Sequence, residues 1–371
     1  MLIIFVTHRN LLCEVTRVEI DTRIGKVLTL LEKHQDKEGG FAAFRMNPDS
    51  NDGNMWKPEN KNTFLSANIL LPVTMISHPK ASAILNKEYV FLKKNMNRAG
   101  LIHYFCDRVV PYFIPYETDT NSLLGYISAS VKSKSSAKEL FYTCISDEGY
   151  FYLWFYAGSG SFFSRPFFNL SLLNDWNKAQ KHMAFKNSVV KKDDAEFCVS
   201  ANVLLYTGDN EKTHRVVVRL LEDIRSSEPI KLIYYPGEVI ACYLFSRAGF
   251  YGKIRSFDGV RESVERRVET AYGREAGFAG KFLDILTANI FLFGNSINSF
   301  SQKIIDQCWG LYDDIETPFA FYCSNSEYDF NHSSKLHHAY FGGPALTVSF
   351  YLEFLNLLRF RKFGNLYGLD A

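Results

Sequence analysis

The chain has 371 residues, of which 47% are apolar and 22% charged, a balance typical of a globular protein with a large core. The net charge is only +2 at pH 7, so electrostatics favour neither nucleic acid nor an anionic membrane as a partner. Seven scattered cysteines without C-x-x-C spacing are typical of free thiols in a reducing compartment. No apolar run approaches the ~18 residues that span a bilayer. We expect a cytoplasmic protein with no nucleic-acid partner and no transmembrane segment.

Aromatic side chains are unusually frequent, with 32 Phe and 21 Tyr. Such a number exceeds what a core needs, and a pocket for a hydrophobic or sugar-like ligand is one use for the additional rings. An aromatic-rich core is the plain alternative.

Helical periodicity starts near residue 17 and then recurs in pairs of helices. The first pair is VEIDTRIGKVLTLLEKH and NTFLSANILLPVTMI, joined by a loop rich in Asn, Asp and Pro. The pattern predicts six helical hairpins, over residues 17–78, 81–131, 135–207, 211–250, 257–293 and 297–358. A mean period of roughly 57 residues suits stacked helical repeats. We therefore predict one all-α domain over residues 1–371, an (α/α)6 toroid of six helical hairpins.

Two sequence echoes support the repeat. A Gly or small residue followed by an aromatic residue lies between the two helices of every unit. A [Ser/Thr]-Ala-Asn-aliphatic motif begins at residues 66, 200 and 287, always early in a second helix. Its Asn residues either face a polar cavity or satisfy loop backbone groups; they are Asn68, Asn202 and Asn289. The apolar last helix, ALTVSFYLEFLNLL, favours a closed ring over an open superhelix.

One motif connects these repeats to a known family. The segment Gln35 to Phe41, QDKEGGF, follows a helix and resembles the Q-x-x-x-G-x-W repeat of the α/α-toroid superfamily, with Phe in place of Trp. That superfamily comprises squalene and terpenoid cyclases and the β subunits of protein prenyltransferases. The resemblance implies an apolar, aromatic-lined central cavity and a small hydrophobic substrate, an isoprenoid.

The resemblance also points to an acid. Class II terpenoid cyclases protonate their substrate with a D-x-D-D motif at the mouth of an inner helix, and the matching stretch here is ETDTNS, residues 117–122. By that match Asp119 is the general acid, Glu117 its neighbouring carboxylate and Asn121 its hydrogen-bond partner. Thr120 replaces the last Asp of the motif. Helix N-capping is the alternative role for this polar stretch.

The metal-binding motifs of related families match this sequence less well than the acid motif does. No D-D-x-x-D-type cluster is evident, and the nearest acidic group (Asp193, Asp194 and Glu196) is expected to cap the third inner helix. We predict no metal site and no certain cofactor; Mg²⁺ would be expected only with a diphosphate substrate.

A zinc site like that of the prenyltransferases has candidate ligands but a poor placement. The Asp-x-Cys pair lies in the first helix of its unit, which is expected on the outer layer, away from a cavity. The candidates are Asp306 and Cys308 with His332, His337 or His338.

Two further carboxylates lie where inner helices are expected to start. Glu238 and Asp284 are therefore candidates to meet Asp119 across a pocket, or else they form ordinary salt bridges or caps. Glu238 paired with Asp119 or Asp284 would give the acid and base of an (α/α)6 glycoside hydrolase, or the site of a polysaccharide lyase.

Aromatic candidates for substrate binding complete the set. Rings at a pocket rim would shield a carbocation or stack on sugars, and core packing is the alternative for each. They are Tyr234, Tyr235, Trp154 and Phe341, with Trp56 and Trp176 in long loops. The favoured hypothesis is a terpene cyclase-like enzyme. The alternatives are the glycan-cleaving enzymes above and a non-catalytic toroid scaffold that binds a hydrophobic ligand.

Overall fold

The structure is a computed structural model. It describes residues 14–46, 56–59, 62–97, 100–104, 116–130, 138–155, 194–317, 321–324 and 339–364. Within these ranges the protein is all-α with one small sheet.

Twelve α-helices lie in the described ranges, close to where the periodicity predicted helices. In chain order they are α1 (Arg17–His34), α2 (Thr63–Val73), α3 (Pro79–Asn95), α4 (Thr118–Ser130), α5 (Lys138–Tyr142), α6 (Phe197–Thr207), α7 (His214–Arg225), α8 (Glu238–Tyr251), α9 (Arg261–Ala279), α10 (Lys281–Leu292), α11 (Ser299–Gly310) and α12 (Pro344–Phe363).

The six even-numbered helices are buried on nearly all sides. Every residue of α2 and α6 is buried, and in α10 ten residues from Phe282 onwards are. A helix that is apolar all round must be covered all round. Each even-numbered helix packs against the next one along the chain, and α12 packs against α2, so the contacts form a closed circuit.

The odd-numbered helices are amphipathic and cover the even-numbered ones from outside. Helix α7 is the clearest case, with Val216, Leu220 and Ile224 buried on one face and charged residues on the other. Helix α1 begins with a capping box between Thr16 and Glu19 and packs on α12, and α11 packs on α10. The odd and even helices thus form two layers.

A repeated turn explains the glycine echo in the loops. In three loops the N–H of a glycine donates to the carbonyl three residues earlier, at 3.0 to 3.1 Å. These glycines have a positive φ that other residues rarely adopt: Gly39 (108°), Gly100 (77°) and Gly149 (85°). The turn sends the chain back towards the start of the next even-numbered helix.

A small antiparallel sheet was not predicted from the sequence. Its strands are β1 (Ala43–Met46), β2 (Trp56–Glu59), β3 (Tyr322–Ser324) and β4 (Ala339–Gly342), in the order β2-β1-β4-β3. Phe44 pairs with Gly342, so the sheet joins the loop before α2 to the segment that leads into α12. Strands of three or four residues are too short for their alternation to stand out from the loops.

No helix in the described ranges has the length and apolar character needed to cross a membrane.

Replacing Gly39 with alanine tests the repeated turn. The new Cβ would lie 2.3 Å from the carbonyl oxygen of Lys87, and the φ of 108° would be strained. We expect Gly39→Ala to lower the free energy of unfolding by about 2 kcal/mol or more, measured by denaturant titration.

Gly25→Ala is the matched control, because Gly25 lies within α1 and its added Cβ would meet no atom within 4 Å. We expect it to raise stability by about 0.5–1 kcal/mol. Equal effects of the two substitutions would contradict the structure of the turn.

Candidate active site

Asp119 lies in the first turn of α4 and is only 2% exposed. Its Oδ2 accepts a hydrogen bond from Tyr235 Oη at 2.5 Å, and its Oδ1 accepts one from Asn202 Nδ2 at 2.6 Å. Asn202 belongs to α6, and Tyr235 immediately precedes α8. One carboxyl group therefore gathers donors from two neighbouring elements of the circuit.

Arg247 of α8 organises the donors around Asp119. It is fully buried, and it donates from Nη1 to Asn68 Oδ1 at 3.0 Å and from Nη2 to Asn202 Oδ1 at 2.5 Å. Because a guanidinium has hydrogen-bond donors only, it can bond only the oxygen of each side-chain amide, and both oxygens therefore face Arg247. The NH₂ group of Asn202 is thereby turned towards Asp119.

The third Asn of the Ser/Thr-Ala-Asn echo joins a second buried carboxylate. Asn289 Nδ2 donates to Glu353 Oε2 at 2.9 Å, and Glu353 also accepts bonds from Tyr243 (2.7 Å) and Tyr251 (3.0 Å). All three echo residues thus contact buried charged groups between the even-numbered helices. Their side chains therefore bond charged groups and helix backbone rather than loop backbone, and the polar cavity expected beside them stays a prediction.

Burial is the main influence on the acidity of Asp119, and it raises the pKa of this group to about 7. The hydrogen bonds from Tyr235 and Asn202 and the charge of Arg247 lower the pKa and limit the rise. Near neutral pH a large fraction of Asp119 therefore retains its proton, yet the carboxylate left behind after proton loss would have two donors and a nearby cation.

Glu117 is the carboxyl neighbour that the sequence predicted, although it does not bond Asp119 directly. Burial raises its pKa to about 8, a bond from Thr120 lowers it, and the charge of Asp119 raises it. Thr120 Oγ1 donates to Glu117 Oε2 at 2.8 Å. The backbone of Glu117 forms a β-bridge with that of Trp154, which is buried.

Asn121 does not have the predicted hydrogen bond to Asp119. Its Oδ1 accepts from the Ile102 N–H, and its Nδ2 donates to the carbonyl oxygens of Ile102 and Glu117. It therefore anchors the preceding loop to α4. The sequence could not separate this role from the predicted one, because successive helix positions point in different directions.

Glu196 was missed as part of the site and expected only as a helix cap. It precedes α6, but its side chain does not cap that helix. Instead its Oε2 accepts the N–H groups of Ile233 (2.6 Å) and Tyr234 (3.2 Å), which holds the segment that carries Tyr235. Burial raises its pKa to about 8; the two backbone bonds lower it and the charges of Asp119 and Asp194 raise it.

Asp194 contributes to the same arrangement, since Tyr234 Oη donates to its Oδ2 at 2.7 Å. Its sequence neighbour Asp193 lies outside the described residues.

Glu238 and Asp284 are not brought to Asp119. Glu238 forms ion pairs with Arg267 (3.2 Å) and Arg274 (3.3 Å) of α9. Asp284 accepts a 2.5 Å bond from Tyr272, also of α9. Both carboxylates thus bond to side chains of α9. Glu238 has the salt bridges that were weighed for it, whereas the tyrosine bond of Asp284 is neither a salt bridge nor a cap.

An aromatic cluster adjoins the acid. Phe321 is fully buried, with its ring 6.1 Å from that of Tyr235 and 5.1 Å from that of Phe350. Tyr235 therefore belongs both to the cluster and to the hydrogen bonds of Asp119. The cluster comprises Phe64, Tyr104, Tyr235, Phe282, Phe321, Phe341 and Phe350.

Phe341 lies in strand β4, with its ring 6.4 Å from that of Tyr104. The Trp56 side chain and Trp176 lie outside the described residues.

No group of three or more His, Cys, Asp or Glu side chains in the described ranges is arranged to hold a metal ion. Of the zinc candidates, Asp306 accepts a bond from Gln302 at 2.8 Å and Cys308 is fully buried in α11. His332, His337 and His338 lie outside the described residues.

Comparisons with known proteins place the fold. Neither a protein-family model nor a curated protein sequence matches the chain. A protein from Actinoplanes of solved structure superposes with a TM-score of 0.64 at 13% identity, over 91% of this chain and 99% of the other.

The type II terpene cyclase MstE from Scytonema is also similar. A ligand-free tyrosine-to-phenylalanine variant gives a TM-score of 0.63 at 13% identity, over 93% of this chain and 98% of MstE. An arginine-to-alanine variant in complex with its substrate, geranylgeranyl dihydroxybenzoate, gives 0.61 at 13% identity, over 92% and 98%. The chain has a terpenoid cyclase-like fold.

The buried carboxyls predict a pH-dependent stability. Raised pKa values mean that the folded state binds more protons than the unfolded state between about pH 4 and 8, so stability falls as pH rises through that window. Removing one of these buried carboxyl groups should reduce the loss of unfolding free energy as pH rises. We expect Glu117→Gln to lessen the loss of unfolding free energy between pH 5 and 8 by roughly 2 kcal/mol. Urea titrations across that range measure it, and a slope equal to that of the wild type would contradict the burial of a neutral Glu117.

Proposed function

We propose that this protein is a terpene cyclase-like enzyme that protonates an isoprenoid through Asp119. The observation that carries the proposal is a buried carboxyl group whose two oxygens accept hydrogen bonds from Tyr235 and Asn202 and whose pKa is raised by burial to about 7. A general acid needs a retained proton and a stabilised conjugate base, and this environment supplies both.

The chemical step requires few groups. The proton of Asp119 is transferred to one carbon of a substrate alkene, whose π electrons form the new C–H bond, or to the oxygen of an epoxide. The cation that results is attacked by the next double bond, which closes a ring, and loss of a proton from carbon ends the sequence. Asp119 is left as a carboxylate, stabilised by Tyr235, Asn202 and the charge of Arg247.

We further propose that the even-numbered helices form the inner wall of an (α/α)6 toroid of six hairpins around a central cavity. The closed circuit of helix contacts supports this arrangement. The aromatic cluster would then form part of the cavity wall beside Asp119, where the faces of its rings would stabilise a carbocation.

The substrate class is a hydrophobic isoprenoid. Support comes from the aromatic residues near the acid and from MstE, which shares the fold and has geranylgeranyl dihydroxybenzoate as its substrate. A glycoside hydrolase would need two carboxylates facing one cleft. Glu238 and Asp284 bond to side chains of α9 instead, so no observation favours that chemistry.

Replacement of the acid tests the function directly. Purified protein is incubated in D₂O with prenylated substrates of several chain lengths, among them geranylgeranyl dihydroxybenzoate, and products are analysed by mass spectrometry. Proton-initiated cyclisation should give cyclic products with one deuterium at the protonated carbon. We expect Asp119→Asn to lower turnover at least about 1,000-fold, because the amide has no acidic proton.

Asp284→Asn is the matched control, since Asp284 has no contact with Asp119 and should retain turnover. Binding of substrates without cyclic product by the wild type would favour a non-catalytic scaffold. Full turnover by Asp119→Asn would exclude Asp119 as the acid.

The hydrogen bond from Tyr235 makes a separate prediction about pH. Only protonated Asp119 is active, so the rate falls as pH rises through its pKa, which lies near 7. Tyr235→Phe removes this donor and raises the pKa of Asp119. We therefore expect the alkaline limb of the pH profile of kcat/KM to move to higher pH while the maximal rate drops about 10-fold.

Tyr243→Phe is the control, because Tyr243 is equally buried but donates to Glu353. A limb that does not move in Tyr235→Phe, or moves equally in both variants, would contradict the proposed role.

A further inference from the structure

A pocket lies at the end of α8 that is remote from Tyr235. Its volume is about 210 Å³, and it opens between the last turns of α8, the start of α9 and the residues after α10. Its apolar floor consists of Phe245, Phe250, Phe257 and Phe293. A helix of 14 residues is about 20 Å long. The pocket lining starts at Phe245 in the middle of α8, and the residues Lys253 and Arg255 follow the helix at the end opposite Tyr235.

The rim of this pocket is cationic. Lys253, Arg255 and Arg261 line it together with one carboxylate, Asp258, which pairs with Arg261 at 2.5 Å. In the described part of the chain no carboxylate lies within ion-pair distance of Lys253 or Arg255. Burial and the nearby charge of Arg261 lower the pKa of Arg361. Arg361 is thus a further cation close to Arg261, and it adds to the positive potential at the rim.

Lys253 has a backbone conformation that glycine adopts with less strain. Its φ is 55°, the only positive φ of a non-glycine residue in the described ranges. It follows Gly252 at the end of α8, and the Ile254 N–H donates to the Gly249 carbonyl at 3.0 Å, which closes the helix end. Helices that end in this way usually have glycine here. A strained lysine at a pocket rim points to a role for its side chain.

We propose that this pocket binds a small amphiphilic anion, with Lys253 and Arg255 holding its phosphate or carboxylate group and the four phenylalanines its apolar body. The volume is below the 300–1,000 Å³ typical of sites for drug-sized ligands, so a single ring or a short chain fits best. Both charged hydrogen bonds and ring stacking contribute, since the rim and the floor lie on one pocket. The proposal is independent of the function assigned to Asp119.

Phenyl phosphate combines both features and is the probe for calorimetric titration. We expect saturable binding at least about 10-fold tighter than that of inorganic phosphate or phenol, each of which has one feature only. Benzoate distinguishes the two anionic groups: tighter binding of benzoate identifies the ligand as a carboxylate, and tighter binding of phenyl phosphate identifies it as a phosphate. Equal affinity for phenyl phosphate and inorganic phosphate, or no saturation at about 10 mM probe, would overturn the proposal.

Lys253→Gly locates the site without harming the fold. The substitution removes the ammonium group and relieves the backbone, so we expect the Tm to stay constant or rise by about 2 °C while the Kd for phenyl phosphate increases about 10-fold. Lys26→Ala, at an exposed position of α1, should leave the affinity unchanged.

Asp119→Asn should also leave the affinity unchanged, because the probe binds at the other end of α8. Wild-type affinity in Lys253→Gly, or loss of affinity in Asp119→Asn, would place the probe elsewhere and refute the assignment.

Discussion

The buried cation Arg247 organises much of the interior of this protein. Arg247 is fully enclosed and donates to Asn68 and Asn202, which belong to two other helices of the circuit. Burying a charge costs several kcal/mol unless partners compensate it. The amide oxygens of Asn68 and Asn202 bond the guanidinium directly, and the carboxyls Asp119 and Glu353 add an attractive charge when they are ionised. The even-numbered helices are therefore held in register by polar contacts as well as by apolar packing.

The same arrangement sets the chemistry of Asp119. Burial alone would leave a carboxylic acid too weak to give up its proton, and full hydration would leave a carboxylate with no proton to give. The structure lies between these limits, because burial dominates while Tyr235, Asn202 and Arg247 oppose it. Glu196 acts indirectly, because its carboxyl group accepts hydrogen bonds from the N–H groups of Ile233 and Tyr234 and so holds the segment that carries Tyr235.

The sequence predicted the helices and part of the site for a physical reason. Periodicity, glycine turns and the Ser/Thr-Ala-Asn echo are local patterns, and Asp119 was found through a local motif. Arg247 and Glu353 lie within long apolar helices, where nothing local indicates that a charge faces inwards. For Glu238 and Asp284 the reverse holds. Both lie near helix starts as predicted, but the direction of their side chains depends on contacts with α9, which the local sequence does not indicate. The sheet depends on pairing between distant segments, which local alternation does not reveal.

The small sheet also has a consequence for how the protein is made. Strands β1 and β2 come early in the chain and pair with each other, but β1 finds its second partner only in β4, just as α2 finds one of its neighbours only in α12. During synthesis the early helices therefore emerge with one apolar flank uncovered until α12 has left the ribosome. Nascent chains of intermediate length must keep that flank from associating with other molecules, so assistance from chaperones would matter most before α12 appears.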